Sequence, residues 1–214
     1  MKNKKYFFIG VGALTSFILW TLLVTFVDVG SIGPRESKVG FSLLNGYLHT
    51  LTGTNMTLYE ITDWLGLVPI FVAFCFAIFG LIQWIKRKRF LKVDKSILSL
   101  GVFYIVVILT YVLFEFVVIN YRPILINGYL EASYPSSTTM LVTTVMPTAT
   151  MQLNSRIKNK KLRITLNIIF AAFTVFMVIG RLISGVHWLS DIVGGLLFSF
   201  GAVMLYVCAV KNAE

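Results

Sequence analysis

The sequence predicts an all-α, multi-pass membrane protein: one helical bundle with six transmembrane helices. Three observations predict this fold class. Of the 214 residues, 57% are hydrophobic and 13% are charged, whereas soluble domains contain about 45–50% apolar and about 25% charged residues. The apolar residues form runs that approach the ~20 residues needed to cross a bilayer. The basic residues cluster between those runs, in the arrangement that sets membrane orientation.

The predicted spans lie at about 6–27, 66–85, 97–119, 138–153, 164–183 and 190–210. The first is too long for the core of a signal peptide, so we expect a retained anchor. The fourth is short, rich in threonine and interrupted by Pro147, so we expect neighbouring helices to cover it. We expect a single membrane domain, residues 1–214. It would contain an extracytoplasmic interfacial segment at 28–65 and a motif-bearing core at 115–191.

The distribution of basic residues predicts the orientation. Of the 19 basic residues, 15 fall on one side of the predicted membrane and only Arg35, Lys38, Arg122 and Arg181 fall on the other. Because basic loops stay in the cytoplasm, we expect both termini inside a cell membrane. The same clustering accounts for the net charge of +10, so we expect no nucleic-acid partner. The residues expected inside are Lys2, Lys4, Lys5, Lys86, Arg87, Lys88, Arg89, Lys92, Lys95, Arg156, Lys158, Lys160, Lys161, Arg163 and Lys211.

The interfacial segment contains an amphipathic pattern. Phe41, Leu44, Leu48 and Leu51 recur at helical spacing, which predicts a helix lying on the outer leaflet. His49 lies among them, and we interpret it as a polar interfacial residue without a catalytic role.

No group of side chains has the spacing of a metal site, so we expect neither a metal nor a cofactor. Cys75 and Cys208 lie inside apolar runs and are expected to be buried hydrophobic residues rather than a disulfide or metal pair.

Three polar stretches fall on the outer side of this topology, at 121–123, 134–139 and 180–191. Ionisable residues at a membrane edge are candidates for function, and three such stretches on one face indicate one site. The third stretch holds His187 and Asp191, which would share one face of a helix because they are four residues apart. A carboxylate beside an imidazole fixes its tautomer and makes its other nitrogen a better nucleophile.

The remaining groups in these stretches favour a phosphate ligand. Arg122 and Arg181 carry planar guanidinium groups that bind phosphoryl oxygens. Pro135 predicts the start of a helix. Ser136, Ser137 and Thr138 would then offer backbone N–H groups and hydroxyls at the N-terminus of that helix, where anions bind. We therefore predict phosphoryl transfer, with His187 attacking phosphorus.

These stretches resemble the membrane-bound type 2 phosphatidic acid phosphatases, which are related to vanadium haloperoxidases and glucose-6-phosphatase. The pattern of that family is Lys-x6-Arg-Pro, then Pro-Ser-Gly-His, then Ser-Arg-x5-His-x3-Asp. The corresponding blocks of this chain are Glu115-x6-Arg122-Pro123, Pro135-Ser136-Ser137-Thr138 and Gly180-Arg181-x5-His187-x3-Asp191.

The resemblance implies a role for each matching residue. His187 would be the nucleophile that forms a phosphohistidine, and Asp191 would orient it. Arg122, Arg181 and Ser136 would bind phosphate. Ser137 stands where the family has glycine and would keep the backbone N–H group.

Two departures from the family pattern affect proton transfer. Thr138 stands where the family has the histidine that protonates the leaving group, and Glu115 stands where it has a phosphate-binding lysine. Both are candidate proton donors or modulators, as is Glu131. For Glu115 we favour a different interpretation, an ion pair with an arginine that keeps it charged. If no acid is present, diphosphates would be favoured, because they release a phosphate ester, a far better leaving group than an alkoxide.

The function we expect is therefore a lipid phosphatase. It would hydrolyse a lipid phosphate or diphosphate at the outer membrane face, with polyprenyl diphosphate favoured and phosphatidic acid or phosphatidylglycerophosphate as other substrates. The alternative is a catalytically degenerate protein that binds lipid phosphate headgroups. A pore or carrier is disfavoured, because few charges lie along the predicted spans.

Overall fold

The computed structural model describes residues 4–213, and most of them are helical. Lys2, expected on the cytoplasmic side, lies outside the described residues. Within 4–213 no β-strand forms, although three isolated bridges do. The helices are α1 Lys4–Phe26, α2 Ser42–Thr52, α3 Met56–Leu65, α4 Leu67–Arg87, α5 Lys95–Phe116, α6 Ser137–Arg156, α7 Lys160–Ile183 and α8 Leu189–Ala213.

Helices long and apolar enough to cross a membrane are α1, the α3–α4 segment, α5, α7 and α8, five in the described chain. The prediction of a multi-pass membrane protein is therefore confirmed, whereas the predicted number of six spans is not. The fourth predicted span is a helix, α6, but it is not among the five. Its threonines lower its hydropathy, so composition alone does not identify it as a span.

Helix α6 lies at the centre of the bundle and packs against α4, α5, α7 and α8. The hydroxyls of Thr143, Thr144 and Thr148 donate to backbone carbonyls one turn earlier, at 2.5, 2.7 and 2.8 Å. These bonds satisfy the hydroxyl protons inside an apolar interior, where an unpaired polar group is costly. A polar helix is therefore stable here because protein rather than lipid covers it, as the sequence predicted.

The long helices run between two chemically different ends. At one end, which we call the basic end, Asp94 joins α4 to α6 at the start of α5. Its carboxylate lies 2.8 Å from Arg87 Nη1 and 3.4 Å from Arg156 Nη2, and it accepts a hydrogen bond from Gln83 at 2.8 Å. The opposite end, which we call the site end, carries the three polar stretches.

Helix α1 packs along almost the whole of α8. Glycines in both helices allow this close approach: a Cβ atom on Gly10 would lie 2.7 Å from Leu205, and one on Gly201 would lie 2.8 Å from Leu14. The cysteines fall on different surfaces. Cys208 of α8 is buried as expected, whereas Cys75 of α4 is exposed and the expectation that it is buried is wrong.

Helix α2 forms in the segment predicted to be amphipathic. Its side chain Asn45 is buried, and the Asn45 amide donates to the Gly40 carbonyl at 2.7 Å and to Ser190 Oγ at 2.9 Å. His49, which we interpreted as a polar interfacial residue, has Nε2 3.1 Å from the carbonyl oxygen of Gly185. The polar face of α2 therefore packs on the loop before α8, while Leu43, on the opposite face of the helix, is 80% exposed.

Candidate active site

The third polar stretch forms the end of α7, a short loop and the start of α8. His187 lies in the loop, and Asp191 lies in the first turn of α8. The prediction that the two share one helical face is therefore wrong, yet His187 Nδ1 and Asp191 Oδ2 are still 3.8 Å apart. Asp191 Oδ2 accepts the backbone N–H of Trp188 at 2.9 Å. This bond satisfies a free donor at the helix N-terminus, where a carboxylate is also favoured by the helix dipole.

The hydroxyl of Ser133 lies between the imidazole and the carboxylate. It donates to Asp191 Oδ2 and lies 3.1 Å from His187 Nδ1. Since its proton goes to the carboxylate, its oxygen accepts the Nδ1–H of His187, which leaves the lone pair on Nε2. Asn120 donates to the other oxygen, Asp191 Oδ1, at 3.0 Å. Sequence reasoning identified neither Ser133 nor Asn120.

A hairpin-like loop between α5 and α6 positions both of these residues. The backbone N–H of Ser133 donates to the Asn120 carbonyl at 2.9 Å. At the tip, Asn127 and Gly128 have φ angles of +50° and +82°, as in the two-residue turns that favour Asn-Gly. The Asn-Gly pair is visible in the sequence and could have identified the hairpin. The same hairpin carries Arg122, so one loop supplies the side chains of Asn120, Arg122 and Ser133 to the site.

Arg122 faces the free nitrogen of the imidazole. Its Nη1 lies 3.4 Å from His187 Nε2, and its Nε lies 3.1 Å from Glu131 Oε2. Burial lowers the pKa of His187 to about 4, and the positive charge of Arg122 acts in the same direction. The imidazole is therefore neutral at neutral pH, and an anion bound by Arg122 would lie beside its nucleophilic nitrogen.

Arg181, near the end of α7, is 2% exposed. Its Nη2 donates to Asp63 Oδ1 at 2.7 Å and to Thr138 Oγ1 at 2.5 Å, while Nε and Nη1 have no partner within the described chain. Buried donors without partners are rare, and a guanidinium with free donors is suited to an anion. Arg181 and Arg122 lie over the same ring, with their Cζ atoms 5.0 and 6.0 Å from the centroid of Tyr59.

The second polar stretch forms the N-terminus of α6. Ser136 is the N-cap residue and is fully buried: its Oγ accepts the N–H of Thr139, and its own N–H donates to the Asp191 carbonyl at 3.1 Å. Ser136 thereby joins α6 to α8, and its role as a phosphate ligand stays a prediction. Ser137 lines a small cavity, about 10 Å³, together with Ser133 and His187. Its volume is about that needed for one water molecule.

Glu115, at the end of α5, lines the same small cavity. It forms no ion pair with an arginine among residues 4–213, so the interpretation that it pairs with one is wrong. The carboxylate that pairs with Arg122 is Glu131, which the hairpin places on the opposite arm. Within the same residues, no group of three or more His, Cys, Asp or Glu side chains is close enough to hold a metal ion.

The Ser133 bridge leads to a prediction. We expect Ser133→Ala to lower turnover by about 10- to 100-fold, the effect of losing one hydrogen bond to a charged imidazolium. The variant should also raise the population of the Nε2–H tautomer. The chain has two histidines, so ¹⁵N-histidine NMR in micelles can follow His187. In the wild type we expect the neutral Nδ1–H form down to about pH 4, because the folded-state pKa lies at that value.

Ser199→Ala is the matched control for this experiment. Ser199 is also buried, but its hydroxyl donates to the Met140 carbonyl in the interior of the bundle. An unchanged tautomer and unchanged turnover in Ser133→Ala would contradict the bridging role.

Comparisons with known proteins bear on the family and the fold of the chain. The sequence model of the PAP2 superfamily matches residues 97–214, which contain all three polar stretches. A solved structure described as the first transmembrane PAP2-type phosphatidylglycerolphosphate phosphatase from Bacillus subtilis has a similar fold, with a TM-score of 0.66 and 19% sequence identity over 97% of this chain and 98% of that one. No curated protein matches the chain. The resemblance read from the three motif blocks is therefore confirmed, and the chain belongs to the PAP2 superfamily.

Proposed function

We propose that the protein is a membrane lipid phosphatase that forms a phosphohistidine at the outer membrane face. The observation that carries this proposal is the position of His187. Its imidazole is neutral, its Nδ1 is held by Ser133 and its Nε2 faces a guanidinium of Arg122 at 3.4 Å. A nucleophile beside fixed cations is the arrangement that phosphoryl transfer requires.

Each residue of the site has a role in the proposed reaction. His187 Nε2 attacks phosphorus, and the bond from phosphorus to the leaving oxygen breaks. The positive charge that develops on the imidazole is stabilised by Asp191 through Ser133. Arg122 and Arg181 neutralise the phosphoryl oxygens. Water then attacks the phosphohistidine, which releases inorganic phosphate and restores the neutral imidazole.

A groove beside the site supports a lipid substrate. Its volume is about 550 Å³, it lies between α4, α5 and α6, and its polar end is formed by Asp63, Ser137 and Thr138. A second apolar cavity of about 340 Å³ shares Ala73 and Tyr104 with it. A chain entering at the site end therefore meets apolar surface towards the basic end, as a long hydrocarbon tail requires.

The proposed function also requires a particular orientation of the helices in the membrane. We place α6 as a sixth span, covered by its neighbours, because it extends from Asp191 at the site end to Asp94 at the basic end. The basic end faces the cytoplasm together with both termini, and the site faces outward across the cell membrane, as the positive-inside rule requires. Helix α2 then lies on the outer leaflet, with its exposed leucines towards lipid.

Thr138 determines which substrate we favour. A threonine hydroxyl is too weak an acid to protonate an alkoxide, whereas a diphosphate releases a phosphate ester that needs no such acid. We therefore favour polyprenyl diphosphates. Phosphatidic acid and phosphatidylglycerophosphate are the other candidates, the latter being the substrate in the name of the Bacillus subtilis protein.

A matched pair of substrates tests the preference. Farnesyl diphosphate and farnesyl monophosphate share one chain and differ in the leaving group. We expect purified protein in micelles to release phosphate from the diphosphate at least about tenfold faster, because its leaving group needs no proton, whereas the monophosphate has lost the histidine acid of the family pattern, which Thr138 replaces. A faster reaction of the monophosphate would contradict the preference. Binding of both lipids without any release would instead support the catalytically degenerate alternative.

A further inference from the structure

Asp63 is a carboxylate that the motif blocks do not contain, yet it lies within the site. Its Oδ1 is 2.7 Å from Arg181 Nη2, and the same nitrogen lies 2.5 Å from Thr138 Oγ1. Thr138 stands where the family pattern has the histidine that protonates the leaving group. A carboxyl group is therefore present next to the position from which that histidine is missing.

The packing of α3 on α7 places Asp63 there. Thr62 is fully buried, and a Cβ atom on Gly180 would lie 2.8 Å from its Cγ2 atom. The absence of a side chain at residue 180, where the family pattern has serine, allows α3 to approach α7 closely. Asp63 follows Thr62 and Arg181 follows Gly180, so this close approach brings the two charged side chains into contact.

The groove indicates which part of a substrate Asp63 would meet. The leaving oxygen of a lipid phosphate joins the headgroup to the tail, so it lies where the apolar groove meets the phosphate site. Asp63 and Thr138 both line that junction, and Asp63 is the one carboxylate of the described chain that lines the groove. Glu115 instead lines the adjoining cavity of about 10 Å³, which is too small to admit a tail.

We propose that Asp63 donates the proton to the leaving oxygen when the protein cleaves a lipid monophosphate, an inference that rests on the proposed function. As His187 Nε2 bonds to phosphorus, the phosphorus–oxygen bond breaks, its electron pair stays on the leaving oxygen, and the Asp63 carboxyl proton moves to that oxygen. The products of this step are the lipid alcohol, a phosphohistidine and the Asp63 carboxylate. The carboxylate then accepts a proton from the water that hydrolyses the phosphohistidine, and inorganic phosphate leaves.

The proposed step requires Asp63 to carry a proton once the substrate is bound. Before binding, Arg181 pairs with Asp63 while its Nε and Nη1 have no partner among residues 4–213. A phosphoryl group that takes over Arg181 removes this cation from Asp63 and places an anion beside it. Two like charges in one site favour protonation of one of them. The Asp63 side chain is 57% exposed, so a proton can reach it from solvent.

The experiment compares Asp63→Asn with the wild type on farnesyl monophosphate and farnesyl diphosphate. We expect the variant to lose about 10²-fold in kcat/KM on the monophosphate, the usual contribution of a general acid. On the diphosphate we expect a change of less than about threefold, because its leaving group needs no acid. Asp63→Glu keeps a carboxyl group and should recover part of the monophosphate activity. Glu60→Gln, one turn earlier on α3 and exposed, is the control.

The outcomes separate the two proposals. An equal loss on both substrates would show that Asp63 only holds Arg181, and it would overturn the inference while leaving the phosphatase intact. A selective loss of monophosphate activity in Glu115→Gln rather than in Asp63→Asn would assign the proton to Glu115 and also overturn it. If the wild type releases phosphate from neither lipid, the proposed function itself fails.

Discussion

His187→Ala is expected to abolish phosphate release from any lipid phosphate, a loss of at least about 10³-fold, because it removes the nucleophile of the reaction. The remaining site would keep the arginines proposed to bind phosphate but would have no atom that can form the covalent intermediate. Purified protein in micelles, assayed for inorganic phosphate with farnesyl diphosphate, measures this effect. Wild type quenched in alkali should also carry a base-stable, acid-labile phosphoryl group that the variant lacks.

The control for this experiment is the other histidine. His49→Ala makes the same substitution at the same end of the molecule, where His49 contacts the backbone carbonyl of Gly185 and the Trp188 ring. We expect it to retain activity within about tenfold, the equivalent of one neutral hydrogen bond. Phosphate release that persists in His187→Ala would end the phosphohistidine mechanism.

Asp191→Asn is expected to lower turnover by about 10²–10⁴-fold, as loss of the orienting carboxylate does in other nucleophile–histidine systems. Asp191 is fully buried and accepts hydrogen bonds from Ser133, Asn120 and the backbone N–H of Trp188. The N–H₂ group of an asparagine would face some of these hydrogen-bond donors, which would then lack an acceptor. We therefore also expect a loss of about 1–3 kcal/mol in stability, the cost of a buried unpaired group, measured by thermal unfolding in detergent.

Asp28→Asn is the matched control for Asp191→Asn. Asp28 is exposed and accepts hydrogen bonds from Ser42 Oγ at 3.0 Å and from the N–H of Leu43 at 2.8 Å, at the start of α2. We expect a stability loss below about 1 kcal/mol, because Asp28 is exposed and an asparagine amide keeps one acceptor oxygen for these donors, with phosphate release retained. Full activity in Asp191→Asn would show that the imidazole needs no carboxylate, which contradicts the proposed mechanism.

Local patterns in the chain were enough to predict much of this molecule. The apolar runs predicted a multi-pass bundle because hydrophobicity along a helix depends on composition alone. The polar stretches predicted His187, Asp191, Arg122 and Arg181 because ionisable residues are conspicuous in an apolar chain. Pro147 and the threonines of α6 indicated a helix covered by its neighbours, and the structure confirms that cover.

Other features depended on contacts between residues far apart in the chain. Ser133 and Asp191 are 58 positions apart, and Asp63 and Arg181 are 118 apart. No local pattern relates such pairs. The helical spacing predicted a direct contact between His187 and Asp191, but the loop before α8 holds them at 3.8 Å and the hairpin inserts a hydroxyl between them.

The sequence by itself therefore determined the membrane bundle, its basic end and the candidate site residues His187, Asp191, Arg122 and Arg181. The tertiary structure alone decided which side chains touch: Ser133 between the imidazole and the carboxylate, Glu131 rather than Glu115 on Arg122, and Asp63 on Arg181. The physical reason is the distance along the chain over which each property is set. Hydropathy and charge act residue by residue along the chain, whereas a hydrogen bond requires two atoms within about 3 Å, a distance that only the packing of α3 on α7 and the folding of the hairpin onto α8 set.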